Sequence, residues 1–390
     1  MTKTYSSKVI KKYSPNQARV MRVNTSHGEF LTPAFMPVGT RAFVNHLTPQ
    51  QLVDAGSQII LGGNTYHMLC SPGMDIIEKA GGMHQFMGWN KPMLTDSGGF
   101  QVLSLSRNSK ICKIDEDGAH FKHPITGKIL HLNTATSIGA QKIIGADIIM
   151  AFDQCTPEAG GREAAVQAME RTHRWLFDAK EMHNKNPLSA YGYYQALFGI
   201  IQGGSFPDLR EKSMQTILDL DLDGTAIGGE AIGYDMPKTL EILDWLGAHL
   251  PEQKVRYTMG LGMHPQDLID VVAKGVDIFD CVAPTRNARH GSLYSGRIVD
   301  TGDWIKFESD FDRGRLLIKT ACFATDEKPI MEGCECYTCK NFSRSYLHYL
   351  FKQKLPFYPN LATIHNIHVM HKVCEVMREK IIGDSSLCSE

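Results

Sequence analysis

Short apolar runs, each ending in a glycine-bearing or polar loop and followed by an amphipathic stretch, recur about eight times along this chain. The runs are Phe35–Val38, Gln58–Leu61, Pro92–Thr95, Ala146–Phe152, Leu197–Ile201, Thr225–Ile227, Arg256–Met259 and Asp277–Phe279. Between them, "GREAAVQAMERTHRWLFDAKEMH" and "DMPKTLEILDWL" repeat apolar residues at three- and four-residue spacing, the period of a helix with one buried face. Thr48–Pro49 reads as a helix cap followed by proline at the first helical position. Parallel neighbours need a crossover, and a helix is the usual one, so the alternation implies a parallel sheet. Eight units favour a closed barrel over an open sheet. The expected fold class is α/β, a (β/α)8 barrel of the TIM type.

In such barrels the carboxyl-terminal ends of the strands form the active face. Here the runs end in Asn64 after "IILGG", Asp96 after "PMLT", Asp153 after "IIMAF", Gln202 after "LFGII", Gly229 after "TAIG" and Asp280 after "DIF". A single aspartate at such a position commonly serves a turn or a helix cap. Several strands ending this way point to a shared site. After "PTRNARHGSLYSGRIV" the alternation stops, and residues 300–360 read as irregular, with aromatics, cysteines and a basic helix-like stretch. "HNIHVMHKVCEVMREKII" then resumes an amphipathic helix. The expected organisation is a barrel with an N-terminal extension over 1–299, an inserted subdomain over 300–360, and a final barrel helix over 361–390.

No apolar run approaches the 18 residues of a membrane span, and "MTKTYSSKVIKKYS" lacks the apolar core of a secretory signal, so the expected compartment is the cytoplasm. Ten cysteines in that compartment are expected to be reduced. A net charge of −1 gives no global sign of nucleic-acid binding, but a local basic patch is enough to contact phosphates. Two runs qualify: Arg286, Arg289 and His290 in "PTRNARHG", and Lys340, Arg344, His348 and Lys352. For either run alone, a solvated face is the better reading.

"GCECYTCK" places Cys334, Cys336 and Cys339 within six residues, and C-x-C and C-x-x-C turns let several thiolates face one tetrahedral ion. His348, His365, His368 and Cys322 are candidates for the fourth ligand. His365, in "ATIHN", would tie the insertion to the closing helix. Four protein ligands leave no position for water, so such a metal, expected to be Zn2+, would be structural. Elsewhere, "TDSGGFQ" sets Asp96 beside Gly98, Gly99 and Phe100. Glycines let a flat ligand approach the backbone, and an aromatic ring supplies a stacking face. Asp153 and Gln202 carry the groups needed to read the donor–acceptor edge of a guanine-like base. "DIFDCVAPTRNARHG" joins Asp280 to the basic run.

In this order, "TDSGGFQ", "FDQCTP", "IIQGG", "DCVAPTRNARHG" and "CECYTC…TIHN" resemble the bacterial tRNA-guanine transglycosylases, also called queuine tRNA-ribosyltransferases. The likeness runs from about "TPAFMPVGT" to the last helix. It implies exchange of guanine at the wobble position of GUN-anticodon tRNAs for a 7-deazaguanine base, through a covalent ribosyl-aspartate, in queuosine biosynthesis. It further implies Asp280 as nucleophile and Asp96 as general acid/base. Base contacts would come from Asp96, Ser97, Gly98, Gly99, Phe100, Asp153, Gln202, Gly229 and Met259. The anticodon loop would meet His264, Asp267, Thr285, Arg286 and Arg289. One zinc per chain would sit on Cys334, Cys336, Cys339 and His365, in a homodimer with no membrane association.

The chain departs from the pattern in two places. Where most bacterial members carry Gly-Gly-Leu-Ala-Val-Gly-Glu, it has "GGEAIGY", so Glu230, Ile232 and Tyr234 stand in the loop that meets the substituent of the incoming base. A bulky Ile232 would crowd queuine's cyclopentenediol, and Glu230 would attract the aminomethyl cation of preQ1, so preQ1 is the expected base and queuine the alternative. Met263–His264 stands where a single lysine is common, which alters one expected tRNA contact. A non-catalytic tRNA-binding subunit is a further alternative, against which both Asp96 and Asp280 are present.

Overall fold

Eight parallel strands close on themselves in chain order: β1 (Ala34–Gly39), β2 (Ile60–Asn64), β3 (Met93–Asp96), β4 (Ile148–Met150), β5 (Ala196–Ile201), β6 (Gly224–Ile227), β7 (Val255–Thr258) and β8 (Ile278–Cys281). The structure, a computed structural model, describes residues 3–383 except 107, 109, 125 and 157–159, so the end of the expected last helix, 384–390, lies outside the described residues. Closure is made by β8 against β1, with Ile278 opposite Ala34 and Asp280 opposite Met36. Each of the eight expected runs overlaps a strand, and no bound moves by more than three residues.

The pleat decides which residues reach the site. Successive side chains alternate between faces. In β8, Ile278 packs in the barrel interior and Phe279 in the outer layer against the helices, so Asp280 returns to the interior. Leu94 and Asp96 in β3 repeat the pattern. The opposite end of the barrel is plugged by an antiparallel sheet, Ser6–Lys12, Arg19–Thr25 and Gly28–Leu31, whose Met21, Val23 and Phe30 join the interior core. Arg19 is clamped there on Asp277, the residue before β8, at 2.6 and 2.9 Å, with both side chains buried.

Beyond β8 the chain forms the helix Ala283–Arg289 and then the added subdomain. Residues 300–360, expected to be irregular, are partly regular. Ile305–Glu308 pairs with Arg297–Asp300, Arg315–Leu317 pairs with Ser292–Tyr294, and helices span Tyr337–Asn341 and Arg344–Lys352. Strands of three or four residues are too short to register as alternation. The last helix runs from Phe357 to Ile382, starting ahead of the stretch read as amphipathic. It packs on β1 and on the helix after β8, and so closes the outer ring. No helix among the described residues is long and apolar enough to cross a membrane.

Candidate active site and metal centre

The strand ends converge on two buried carboxylates at the barrel mouth. Asp280 is 9% exposed, and burial raises its pKa. The Tyr257 hydroxyl of β7 donates to its Oδ1 at 2.6 Å, and the Gly260 N–H donates to the same oxygen at 3.1 Å. Both bonds favour the ionised form and oppose the effect of burial. They occupy Oδ1 and leave Oδ2 as the oxygen free to attack. Asp96 is held by Asn64 Nδ2 on Oδ2 at 2.7 Å and by the Gly98 N–H on Oδ1 at 2.9 Å. Burial carries its pKa up to about 7, with a small contribution from the charge of Asp280. One group fixed for attack and one near half-protonation at neutral pH form the pairing that a displacement needing proton transfer requires.

A second layer of polar groups lies beside them. Gln202 Nε2 donates to Asp153 Oδ2 at 2.8 Å, and Ser97 Oγ donates to Oδ1 at 3.2 Å. Thr156 fixes the amide of Gln202 by donating to Oε1 through both its N–H and its hydroxyl. Burial raises Asp153 to about 6. A Cβ on Gly99 would stand 2.0 Å from Asp153 Oδ1, so no side chain fits at that position. Phe100 stands exposed in the helix Gly99–Ser106, offering its ring face, and Met259 follows β7 directly. Gly229 and Gly228 lie over a buried arginine, Arg210, which donates to the carbonyls of Ile201, Gly204 and Gly228. Asn64, Asp96 and Gly98 thus form one hydrogen-bonded group, and Ser97, Gly99, Asp153 and Gln202 a second, joined to the first through the backbone of residues 96–99.

The loop expected to tune base choice divides. Ile232 is buried and packs in the same core cluster as Ile227 and Leu261. Tyr234 is exposed, and Glu230 lies near Cys155, whose thiol pKa is pushed up by burial and by the charges of Asp153 and Glu230. Among the expected tRNA contacts, Arg286 is exposed and Arg289 half-buried on the helix after β8, with Thr285 turned inward. Asp267 caps the helix Pro265–Ala273 by accepting from the His264 N–H at 2.8 Å.

Sequence reasoning missed Tyr257, Gln101 and Arg210. Tyr257 reads as an ordinary core aromatic in "VRYT", and only the inward phase of β7 marks it. Gln101 Oε1 accepts from Asn64 Nδ2 at 2.6 Å, which braces the partner of Asp96. Arg210 sits in "PDLREKSM", a stretch that reads as a charged helix surface, although the side chain is fully buried.

The cysteine cluster closes with His365. Its Nδ1 lies 3.7, 3.5 and 3.3 Å from the sulfurs of Cys334, Cys336 and Cys339. Thiolate and imidazole on one tetrahedral zinc would stand about 3.5 Å apart, given bonds of about 2.3 and 2.0 Å. His365 Nε2–H donates to the Tyr294 carbonyl at 2.7 Å, which leaves the Nδ1 lone pair facing the sulfurs. The four residues could hold a metal ion. His348 is engaged elsewhere, donating to the Ile318 carbonyl, and Cys322 is exposed outside the cluster. A second group, His27, His84 and Asp147, is gathered at the opposite end of the barrel. Its imidazole planes are stacked 3.6 Å apart at 12°, so their in-plane lone pairs cannot both aim at one ion.

A family model described as Queuine tRNA-ribosyltransferase matches residues 14–387. A queuine tRNA-ribosyltransferase of Caldanaerobacter subterraneus is 44% identical over 379 residues, covering 97% of this chain and 94% of the relative. Proteins of the same name from Lysinibacillus sphaericus and Staphylococcus aureus are each 43% identical, over 94% and 97% of this chain and 89% and 93% of their own lengths.

Proposed function

The chain belongs to the queuine tRNA-ribosyltransferase family, the tRNA-guanine transglycosylases, and we propose that it exchanges wobble guanine in GUN-anticodon tRNAs for a 7-deazaguanine through a ribosyl-aspartate on Asp280. The observation that carries the reading is the Tyr257–Asp280–Gly260 arrangement, which secures one carboxylate oxygen and frees the other. Asp280 Oδ2 forms a bond to the anomeric carbon as the bond to guanine breaks, and the leaving base takes the electron pair. Asp96, titrating near 7, gives the departing base a proton and receives one from the incoming base. The second displacement reverses the first, so the glycosidic configuration is restored and no external energy source is consumed.

Asp153 and Gln202 offer acceptor and donor to the edge of the base, and Phe100 offers a face for stacking. Arg286 and Arg289, on the helix leaving β8, meet the anticodon loop. Zinc on Cys334, Cys336, Cys339 and His365 fastens the added subdomain to the last helix, and its closed coordination gives it a structural role. Exposed Tyr337, Tyr346, Tyr349 and Phe357, with Phe342 stacked among them, form an aromatic patch that suits a second copy in a cytoplasmic homodimer.

For the incoming base, Glu230 favours preQ1, whose ammonium it would meet. Queuine is the second reading, since Ile232 is buried among Ile227 and Leu261 and obstructs a larger substituent only where it also lines the base pocket. Competition among preQ1, queuine and guanine on cognate tRNA tests the choice. A tenfold preference for preQ1 that Glu230→Leu removes supports the first reading, and a tenfold preference for queuine supports the second.

A further inference from the structure

A cleft of about 990 Å3 lies between the hairpin Arg297–Glu308, the start of the helix Pro265–Ala273 and the metal-bearing subdomain. That helix follows β7, so its first turn stands on the same face of the barrel as Asp280. The connection leading to it supplies the Gly260 N–H that holds Asp280. Arg297, Lys306, Arg313, Lys328 and Arg344, from separate segments, line the cleft together with His264.

Three of these cations are already matched: Arg297 with Glu308, Lys328 with Glu332, and Arg344 with Asp326. Lys306 and Arg313 are exposed and have no ion pair among the described residues. One donor beside them is buried without a partner, Arg344 Nε. Arg313 is held at φ 49°, a left-handed conformation that a long side chain rarely adopts and that is found mostly where a site requires it. Burial, Arg315 and Arg313 lower His264 to about 4, so the imidazole is neutral at pH 7 and sits in a positive field.

The hairpin is a fixed wall. Trp304 Nε1 donates to the Ile269 carbonyl at 3.1 Å, the Phe307 N–H donates to Gln266 Oε1 at 2.8 Å, and Asp300 pairs with Lys380 at 2.8 Å. A rigid cleft in which Lys306 and Arg313 are unmatched and the Arg344 Nε–H is unpartnered suits a phosphodiester, which accepts several hydrogen bonds and carries charge without bulk.

We propose that this cleft is a second tRNA contact, in which Lys306 and Arg313 grip phosphodiester backbone away from the wobble nucleotide. The inference rests on the tRNA-modifying reading above. The test uses full-length metal-loaded enzyme and cognate tRNA, and compares wild type with Lys306→Ala/Arg313→Ala and the charge-keeping Lys306→Arg/Arg313→Lys. The alanine pair should raise the tRNA KM about tenfold, leave kcat at saturating tRNA within twofold, and reduce the slope of log KM against log salt by about two, one per lost contact. The charge-keeping pair should restore both. An alanine pair with unchanged KM and salt slope overturns the proposal, as does a charge-keeping pair no better than alanine. So does a pair that loses binding of inorganic phosphate alone, which would mark a small-anion site. Filter binding of tRNA keeps the two readings apart, since a wild type that binds tRNA but exchanges no guanine sinks the proposed reaction and still reports on the cleft.

Discussion

Replacing Tyr257 with phenylalanine removes one oxygen and keeps the ring that fills the barrel interior. The lost bond is the 2.6 Å donation to Asp280 Oδ1, one of the interactions that keep a buried carboxylate ionisable. A hydrogen bond to a charged group contributes about 1.5–3 kcal/mol. At about 1.4 kcal/mol per factor of ten, its loss makes ionised Asp280 about tenfold to 150-fold scarcer wherever the group is not already fully ionised. Burial raises the Asp280 pKa and the tyrosine bond lowers it, so the variant titrates higher than wild type. The deficit in Tyr257→Phe should therefore be greatest at acid pH and shrink as pH rises. Single-turnover guanine release from labelled tRNA, followed from pH 5.5 to 9, measures it. A deficit constant across that range, or none at all, would refute the assignment of Tyr257 as the group that keeps Asp280 ionised.

Asp96→Asn should abolish exchange yet stabilise the free protein above neutrality. The folded-state pKa lies above the unfolded value, so the stability it contributes is complete below 3.8 and lost as pH passes through about 7. That rise is worth about 4 kcal/mol, offset by about 1–3 kcal/mol for the new amide donor facing Asn64, and urea unfolding at pH 8 should find a net gain. Gly99→Ala places a methyl 2.0 Å from Asp153 Oδ1 and should raise the KM for the free base at least tenfold while the circular dichroism spectrum is retained. His365→Ala should lose the zinc, about one per chain by metal analysis, whereas His348→Ala keeps it. The reverse outcome would show that the fourth ligand is wrongly assigned.

The barrel was legible because its strands are near-continuous apolar runs punctuated at one end by polar residues, and the same ends carry the site. Asp96, Asp153, Gln202 and Asp280 announce themselves as charge or amide directly after "PMLT", "IIMAF", "LFGII" and "DIF". Tyr257 does not, because a tyrosine in a short strand is indistinguishable from core until its pleat phase against Asp280 is known. Arg210 was hidden for the opposite reason: its helix looks charged, and only tertiary packing buries it against three carbonyls. Loop position alone does not fix side-chain direction, so the burial of Ile232 and the exposure of Tyr234 were not readable from "GGEAIGY". The hairpin Arg297–Glu308 was overlooked because its strands are only four residues long and are held by Trp304 and Phe307 against helix residues 35 and 41 positions earlier.

The central claim is that Asp280 carries the ribosyl group between the two bases. Intact-mass and peptide mapping of enzyme quenched in denaturant after incubation with cognate tRNA measures it directly. The account predicts one covalent tRNA adduct mapped to Asp280, present in wild type, absent from Asp280→Asn although that protein still binds tRNA, and discharged by added 7-deazaguanine base. An adduct that persists in Asp280→Asn, or that maps to Asp96, would contradict it.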